Sequence, residues 1–499
     1  MATVGTDFDL IIRNASVATA TETFEADIGI SDGVITRLAR RDRPDPVISD
    51  SAKTEIDAEG KLVLPGGVDS HTHIEQLSAA GVMNADDFYS ATVSAAFGGT
   101  TTTISFAAQH RGMRIPDVLA EYHERARYKA VIDYAFHLIV ADPTPEALNE
   151  HLPAAIAAGV SSFKLYMTYD RLMVDDAQIL NVLSAARANG ALTMVHAENH
   201  AMIGWMSDRV VAAGNTLPRY HGVCHTRGAE AEAIHRLVAL AELADTPVLV
   251  VHVSTIDGIE EIRRARARGL AVYGETCPQY LFLSSEDLDR DGLDGAMFCC
   301  SPPPRDAAAQ EACWAGLLDG TLQVYSSDHA PFRFDESGKL PNGAQTTFKE
   351  IANGVPGLEL RLPVLFTEGV GSGRLTVNQF VDITSTQHAK IYGLYPRKGT
   401  IAVGSDADLA IWNTETELTI TDELVHDNVG YTPYAGRRLK GWPETVVSRG
   451  EVIVADGELR AERGRGQFLT RGPLESAAPL GRDVPEIAQM QAWGTPFTR

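Results

Sequence analysis

Two histidines stand one residue apart at the end of an apolar run, Leu62-Val-Leu-Pro-Gly-Gly-Val-Asp-Ser-His71-Thr-His73. On a β-strand, residues i and i+2 project to the same face. Both imidazoles can therefore reach one metal ion while Thr72 faces away. Other apolar runs also end on reactive groups. Ser162-Phe-Lys164-Leu-Tyr166 places a lysine inside a strand, where an unpaired ammonium is costly. Thr193-Met-Val-His196 and Val250-Val-His252 each close on a histidine, and Tyr325-Ser-Ser-Asp328 closes on an aspartate. Taken singly, each residue is explained as well by a hydrogen-bonded polar group or a turn cap. Four histidines, one lysine and one aspartate at so many strand ends form a set of nitrogen and oxygen donors suited to a divalent metal.

The elements that must position these groups can be read from the texture of the chain. Short β-rich runs at Leu62–His73, Thr100–Phe106, Ile132–Val140, Ser161–Tyr166, Leu192–His196, Val248–His252, Ala271–Thr276 and Leu322–Ser327 alternate with helical patterns. Those helical stretches include Ile115–Ala130, Thr144–Ala158, Asp176–Asn189, Glu230–Leu243 and Gly258–Arg268. Eight strands in this alternation predict an α/β fold, a (β/α)8 TIM barrel, with its chemistry at the C-terminal strand ends. An open doubly wound sheet is the competing arrangement, but no G-x-G-x-x-G follows the first strand.

Both chain ends have a different rhythm, of short antiparallel strands such as Phe8–Arg13, Ala26–Ile30, Ala407–Trp412 and Thr445–Val454. They predict one small β-sandwich domain built from the two ends together. The expected boundaries are 1–62 for its first part, 63–390 for the barrel and 391–460 for its second part. Residues 461–499 form a tail rich in Gly, Pro and Arg, expected to wrap a surface or a subunit interface without adding core.

Composition narrows the class. The chain has 499 residues, 44% of them hydrophobic, enough for a large core. A formal net charge of -23 argues against a nucleic-acid surface. No apolar stretch reaches the roughly 18 residues of a membrane span. Met1–Leu10 has neither the basic start nor the apolar core of a secretory signal, so a cytoplasmic protein is expected. Five cysteines without a C-x-x-C pair read as free thiols.

The order of these segments resembles the amidohydrolase superfamily and, more narrowly, the dihydropyrimidinase/hydantoinase family. The matching segments are Gly67-Val-Asp-Ser-His-Thr-His73, Phe163-Lys-Leu-Tyr-Met-Thr-Tyr169, His196-Ala-Glu-Asn199 and His252-Val-Ser-Thr255. They continue with Glu275-Thr-Cys-Pro-Gln-Tyr280, Cys300-Ser-Pro-Pro-Pro-Arg305, Ser327-Asp-His-Ala-Pro-Phe332 and Asn353-Gly-Val-Pro-Gly-Leu-Glu359. The resemblance implies a binuclear metal centre. His71, His73 and Asp328 would bind one ion and His196 and His252 the other, with Lys164 carboxylated by CO2 to bridge them. Zinc suits this donor set, and manganese or cobalt fits it too. The implied reaction opens a hydantoin or 5,6-dihydropyrimidine ring to an N-carbamoyl amino acid, by attack of a metal-bridging hydroxide. Asp328 would be general base and then acid. Tyr169 would donate to the developing oxyanion, and Ser301 and Asn353 would hold the ring. The family also implies a homo-oligomer, a homotetramer or homodimer.

The chain departs from the family in places. Ile74-Glu-Gln-Leu-Ser-Ala-Ala80 replaces a common Pro-Phe segment, Ser105 stands where an acid is common, and Gly228 where proline is usual. Dihydroorotases often carry an arginine two residues after the H-x-H. Glu75 occupies that position and would repel a substrate carboxylate. Allantoinase and cyclic-imide hydrolase remain alternatives because the metal set is shared. Non-catalytic scaffold homologues lack ligands, whereas all six positions are filled here.

Overall fold

The computed structural model describes residues 8–44 and 47–497. Eight parallel strands follow one another around a barrel: Gly67–Thr72, Thr100–Ala108, Asp133–Ile139, Ser162–Tyr166, Leu192–His196, Val248–Val250, Val272–Thr276 and Val324–Tyr325. A parallel bridge from Thr72 to His329 brings the last strand back to the first, and the His73 amide donates to the His329 carbonyl at 2.8 Å.

Local chemistry sets where the surrounding helices begin. Asp175 accepts from the Gln178 amide while the Gln178 side chain returns to the Asp175 amide, a reciprocal cap that starts the helix Asp176–Asn189. Thr226, Thr255 and Asp306 cap the helices Arg227–Ala244, Ile256–Ala267 and Ala307–Leu318 in the simpler way. The helix expected over Thr144–Ala158 instead has a wide turn at Ala147–His151 before Leu152–Ala157. Pro153 lacks the amide hydrogen that the Asn149 carbonyl needs.

A second sheet of nine strands is built from both chain ends. Phe8–Ala18 pairs with Thr23–Ser31, Ala52–Asp57 and Leu62–Pro65, and Leu62–Pro65 pairs with Leu409–Thr419. The single strand expected over Leu62–His73 is therefore two strands in two sheets. The hinge is Gly66, where a β-carbon would lie 2.2 Å from Thr101 Oγ1. Only glycine lets the chain pass this close to the barrel wall as it changes sheets. The second sheet has its own core, including Leu10, Ile12, Ile28, Val63, Leu409 and Ile411. Lys398 fastens it to the barrel, with Nζ 2.7 Å from Asp133, 2.7 Å from Asp408 and 3.0 Å from Asp406.

The tail corrects an expectation. Gln467 and Leu469 hydrogen-bond to the Tyr134 backbone along the third barrel strand. Leu469, Leu474 and Ala477 are buried in the main core. Each buried leucine contributes roughly 1.5–3 kcal/mol, so this segment seals the bottom of the barrel and adds core. Among the described residues, no helix is long and apolar enough to cross a membrane.

Candidate functional site

The strand ends bring all six expected metal-binding residues into one cluster. His71 is fully buried, and its Nδ1 lies 2.6 Å from Glu275 Oε1 at the end of the seventh strand. That carboxylate accepts the Nδ1 hydrogen, which leaves Nε2 facing inward as a lone-pair donor. His71 Nε2 is 3.1 Å from Asp328 Oδ1. His73 is oriented in the same way. Its Nδ1 is 2.8 Å from Gln76 Oε1, and its Nε2 is 3.3 Å from Asp328 Oδ1. His196 takes the opposite orientation, with Nε2 donating to Glu198 Oε2 at 2.8 Å, so that Nδ1 is the free nitrogen. Glu198 is held in turn by His225 Nδ1 at 2.9 Å. The His252 ring lies 4.5 Å from that of His196 and 5.5 Å from that of His71. Its Nδ1 is buried without a hydrogen-bond partner among the described residues.

The tightest part of the cluster is His71, His252 and Asp328, whose ligand atoms all lie within 4.8 Å of one another. His73, His196 and Lys164 stand around it. Nitrogen and oxygen donors, the absence of thiolate and an unpartnered buried imidazole nitrogen together fit a divalent cation.

Lys164 is fully buried between Phe106 and Tyr166, with Nζ 5.0 and 5.1 Å from their ring centres. Its nearest polar contact is His71 Nε2, at 3.5 Å. Burial lowers its pKa to about 8, against the pull of Asp328 and Glu275. For Asp328, burial works against ionisation, but the field and hydrogen bonds of His71 and His73 outweigh it. Its carboxyl is held well below the usual range and is an anion at neutral pH.

Three site residues adopt left-handed backbone conformations: Tyr169 at φ 72°, His252 at 41° and Asp328 at 48°. Each costs roughly 1–3 kcal/mol and persists only where surrounding packing enforces it. The turns swing these side chains off the strand ends into a cavity of about 520 Å³. Tyr169, Ser301 and Asn353 line the same cavity as His73, Lys164, His196, His252 and Asp328. Burial pushes the Tyr169 phenol up, against the pull of Ser301 and Asn353, so it keeps its proton. Asn353 Oδ1 has no partner among the described residues and is available to a ligand. The two segments carrying Ser301 and Asn353 are clasped by Lys339, whose buried Nζ donates to the Cys299 and Gly354 carbonyls.

Several orienting residues escaped the sequence reading: Gln76, Glu198, His225, Glu275 and Lys339. Two had a local signal, since Gln76 follows His73 by three residues and Glu198 follows His196 by two. The departures also separate by position. Glu75 does not line the cavity and pairs with Lys129 at 2.7 Å. Ser105 Oγ lies 2.8 Å from Thr72 Oγ1, within the barrel wall. Gly228 sits in a helical first turn where a β-carbon would find only ordinary contacts, with Met202 at 3.6 Å and Thr226 Oγ1 at 4.0 Å. By contrast, Gln76, Ser78, Ala79 and Ala80 do line the cavity.

Residues 62–453 match the amidohydrolase family. The chain is 41% identical to a D-hydantoinase of Rhizobium radiobacter over 464 residues, covering 93% of this chain and 99% of that protein. It is 42% identical to a D-hydantoinase of Geobacillus stearothermophilus over 463 residues, covering 92% and 96%. The crystal structure of a dihydropyrimidinase from Brevibacillus agri is similar with a TM-score of 0.89 at 40% identity, over 93% of this chain and 99% of that one.

Proposed function

The chain belongs to the amidohydrolase family, and from that footing we propose that it hydrolyses a cyclic diamide, a hydantoin or a 5,6-dihydropyrimidine, to an N-carbamoyl amino acid. The observation that carries this reading is the coincidence of two sets of groups in one cavity. His252 and Asp328, two members of the His71, His252 and Asp328 cluster, line the same cavity as the Tyr169 phenol and the free Asn353 Oδ1.

In this reading His71, His73 and Asp328 hold one divalent ion, His196 and His252 the second, and a carboxylated Lys164 joins them. Zinc is the expected metal, with manganese or cobalt accommodated by the same donors. When bound, the ions supply Lewis acidity, which polarises the scissile carbonyl and makes water nucleophilic at neutral pH. A lysine ammonium has no lone pair to give, whereas a carbamate is anionic and has two donor oxygens. The depressed pKa of Lys164 supports this, because only the neutral amine adds CO2.

The protein's own groups handle the protons. Asp328 Oδ accepts a proton from the attacking water and returns it to the departing ring nitrogen. The Tyr169 hydroxyl donates to the carbonyl oxygen as negative charge develops there. Asn353 Oδ1 accepts from a ring N–H, and Ser301 holds the far side of the ring. Glu275, Gln76 and Glu198 keep the imidazoles of His71, His73 and His196 turned to present their free nitrogens.

The proposed assembly is a homotetramer or homodimer. It is supported by the helix His200–Ala212, where Ser207 is the one buried residue and Met202 and Trp205 are exposed.

Zinc-replete protein assayed against dihydrouracil, hydantoin, 5-substituted hydantoins, allantoin, dihydroorotate and succinimide tests the reaction. Turnover of a hydantoin or dihydropyrimidine is expected. Activity confined to allantoin, dihydroorotate or succinimide would replace this reading with one of its relatives.

A further inference from the structure

Lys339, like Lys164 and Lys398, is shut off from solvent, at 0% exposure. Among the described residues it forms no ion pair. Its Nζ donates instead to two backbone carbonyls, Cys299 at 2.7 Å and Gly354 at 2.5 Å. Burial lowers its pKa to about 8, so at neutral pH it is mainly an ammonium. A buried cation without a counter-ion is costly, and the loop around it holds it in place. The Lys339 amide donates to the Arg333 carbonyl at 2.8 Å, and Arg333 Nε to the Asn428 carbonyl at 3.0 Å, so the chain doubles back at this point.

The two carbonyls belong to the two segments that carry the ring-binding groups. Cys299 precedes Ser301 by two residues, and Gly354 directly follows Asn353. One backbone bond joins these segments, from the Gly354 amide to the Cys299 carbonyl at 3.0 Å. That carbonyl therefore gives one lone pair to Gly354 and the other to Lys339. On its far side Gly354 cannot shift. Its φ is 148°, and a β-carbon there would lie 2.4 Å from Ala330 Cβ. Gly354 is thus held between Ala330 and the Lys339 ammonium. The groups so placed act together on Tyr169: burial raises the pKa of its phenol, and hydrogen bonds from Ser301 and Asn353 oppose that rise.

We propose that Lys339 is a positioning residue for ring binding: its ammonium fixes the spacing of the Ser301 and Asn353 segments, and with it the fit of the cyclic diamide. This rests on the reading of Ser301 and Asn353 as the groups that hold the ring. Lys339 does not itself line the cavity, so it acts through those two residues. Without the ammonium, the segments are joined only by the bond from Gly354 to Cys299. The two bonds lost are charge-assisted, the stronger kind. Ring contacts are made alike in the bound substrate and the transition state. Their loosening therefore belongs in KM, with kcat spared. The competing role for Lys339 is to stabilise its own loop, with no consequence for the ring.

The test separates positioning from loop stability. Zinc-replete protein is assayed on hydantoin and dihydrouracil, with zinc content and denaturation midpoint measured alongside. Lys339→Met keeps the bulk of the stem and removes the donors. It should raise KM about tenfold, with kcat within about threefold of wild type and zinc per chain unchanged. In an Asn353→Ala background the same substitution should raise KM by no more than about threefold, because much of its effect passes through Asn353. Leu340→Ala loosens the same loop and leaves Nζ in place. It should lower the midpoint and keep KM within about twofold, since it shares no partner with the ring-binding groups. Should Lys339→Met fail to fold, Lys339→Gln carries the test. Its amide still reaches one of the two carbonyls, so KM should rise about threefold. A folded Lys339→Met or Lys339→Gln with the wild-type KM overturns the proposal. So does an effect that multiplies in full with that of Asn353→Ala, or an equal rise in KM in Leu340→Ala. If the wild type opens neither ring, or Asn353→Ala leaves its KM unchanged, the ring-binding reading itself fails and the proposal falls with it.

Discussion

Lys164 and Lys398 are both shut off from solvent, at 0% and 1% exposure, and their surroundings differ in kind. Lys398 lies within 3.0 Å of three carboxylates, Asp133, Asp406 and Asp408. Burial opposes its charge, but those acids outweigh burial and push its pKa up. Lys164 contacts an imidazole and two aromatic faces, and burial brings its pKa down to about 8. A buried charge with its partners in place is a fastening, here between the barrel and the chain-end sheet. A buried charge without them is a group awaiting a partner that the chain does not supply.

The largest effect expected from this contrast is at Lys164. Lys164→Ala should lose one or both metals and nearly all turnover, while, compared as metal-free proteins, its thermal stability should hold or rise because an unpaired buried cation has been removed. Added propionate should restore part of both by filling the vacated space. Lys398→Met should do the reverse. Stripping the cation from three buried carboxylates should cost about 3–5 kcal/mol, read as a shift in denaturation midpoint, with metal content per folded chain unchanged. If Lys164→Ala kept two metals and normal turnover, or Lys398→Met lost metals without losing stability, the assignment of the two lysines would be reversed.

The next effect concerns the acids that face these lysines. Asp328→Asn should lower kcat by roughly 10²–10⁴-fold, the usual worth of a general acid–base group. An amide cannot take the proton from water. Asp408→Asn, on the Lys398 side, should leave kcat within a few-fold and lower stability instead. Equal kcat losses in the two variants would mean that Asp328 has no proton-transfer role.

Much of this contrast was legible in the sequence, and the illegible part has a common cause. A lysine inside Ser162-Phe-Lys-Leu-Tyr announces burial, because the strand around it is apolar. Strand ends at His71, His196 and His252 can be read because periodicity is local. The identity of each partner is not local. Glu275 orients His71 from 204 residues away, and Lys398 meets Asp133 from 265 away. The division of Leu62–His73 between two sheets was hidden for the same reason. The run carries no polar residue from Leu62 to Val68, and only the approach of Thr101 to Gly66 reveals the hinge. The tail misled because its Gly, Pro and Arg content describes an irregular path and says nothing of what that path covers.

A smaller effect is expected at Tyr169, the cavity's protonated phenol. Tyr169→Phe should lower kcat by roughly 10²-fold with little change in KM. A hydroxyl bonds more strongly to an oxyanion than to a neutral carbonyl, so its contribution belongs to the transition state. A rise in KM at constant kcat would assign it to ground-state binding instead.

The smallest effect is expected at Glu75, where the sequence and the structure point in different directions. Its place two residues after His73 suggests a negative charge facing the substrate. In the structure its backbone turns left-handed, at φ 48°, and the side chain leaves the cavity. The carboxylate lies 2.7 Å from Lys129 Nζ and accepts from the Phe88 amide at 3.4 Å, while the Glu75 carbonyl accepts from Arg125. With its charge answered by Lys129, Glu75 presents no net field to a bound ring. Both side chains are partly exposed, at 22% and 25%, so the pair is worth at most about 1 kcal/mol. Glu75→Gln should therefore change stability by no more than that. It should also leave the ratio of kcat/KM for a carboxylate-bearing cyclic amide to that for its uncharged analogue within about twofold, since a paired surface charge is largely screened. A tenfold gain for the anionic substrate would show that the cavity does feel Glu75, and would return discrimination against such substrates to that residue. An unchanged ratio would move the question of selectivity to Gln76, Ser78, Ala79 and Ala80, the part of the same segment that lines the cavity.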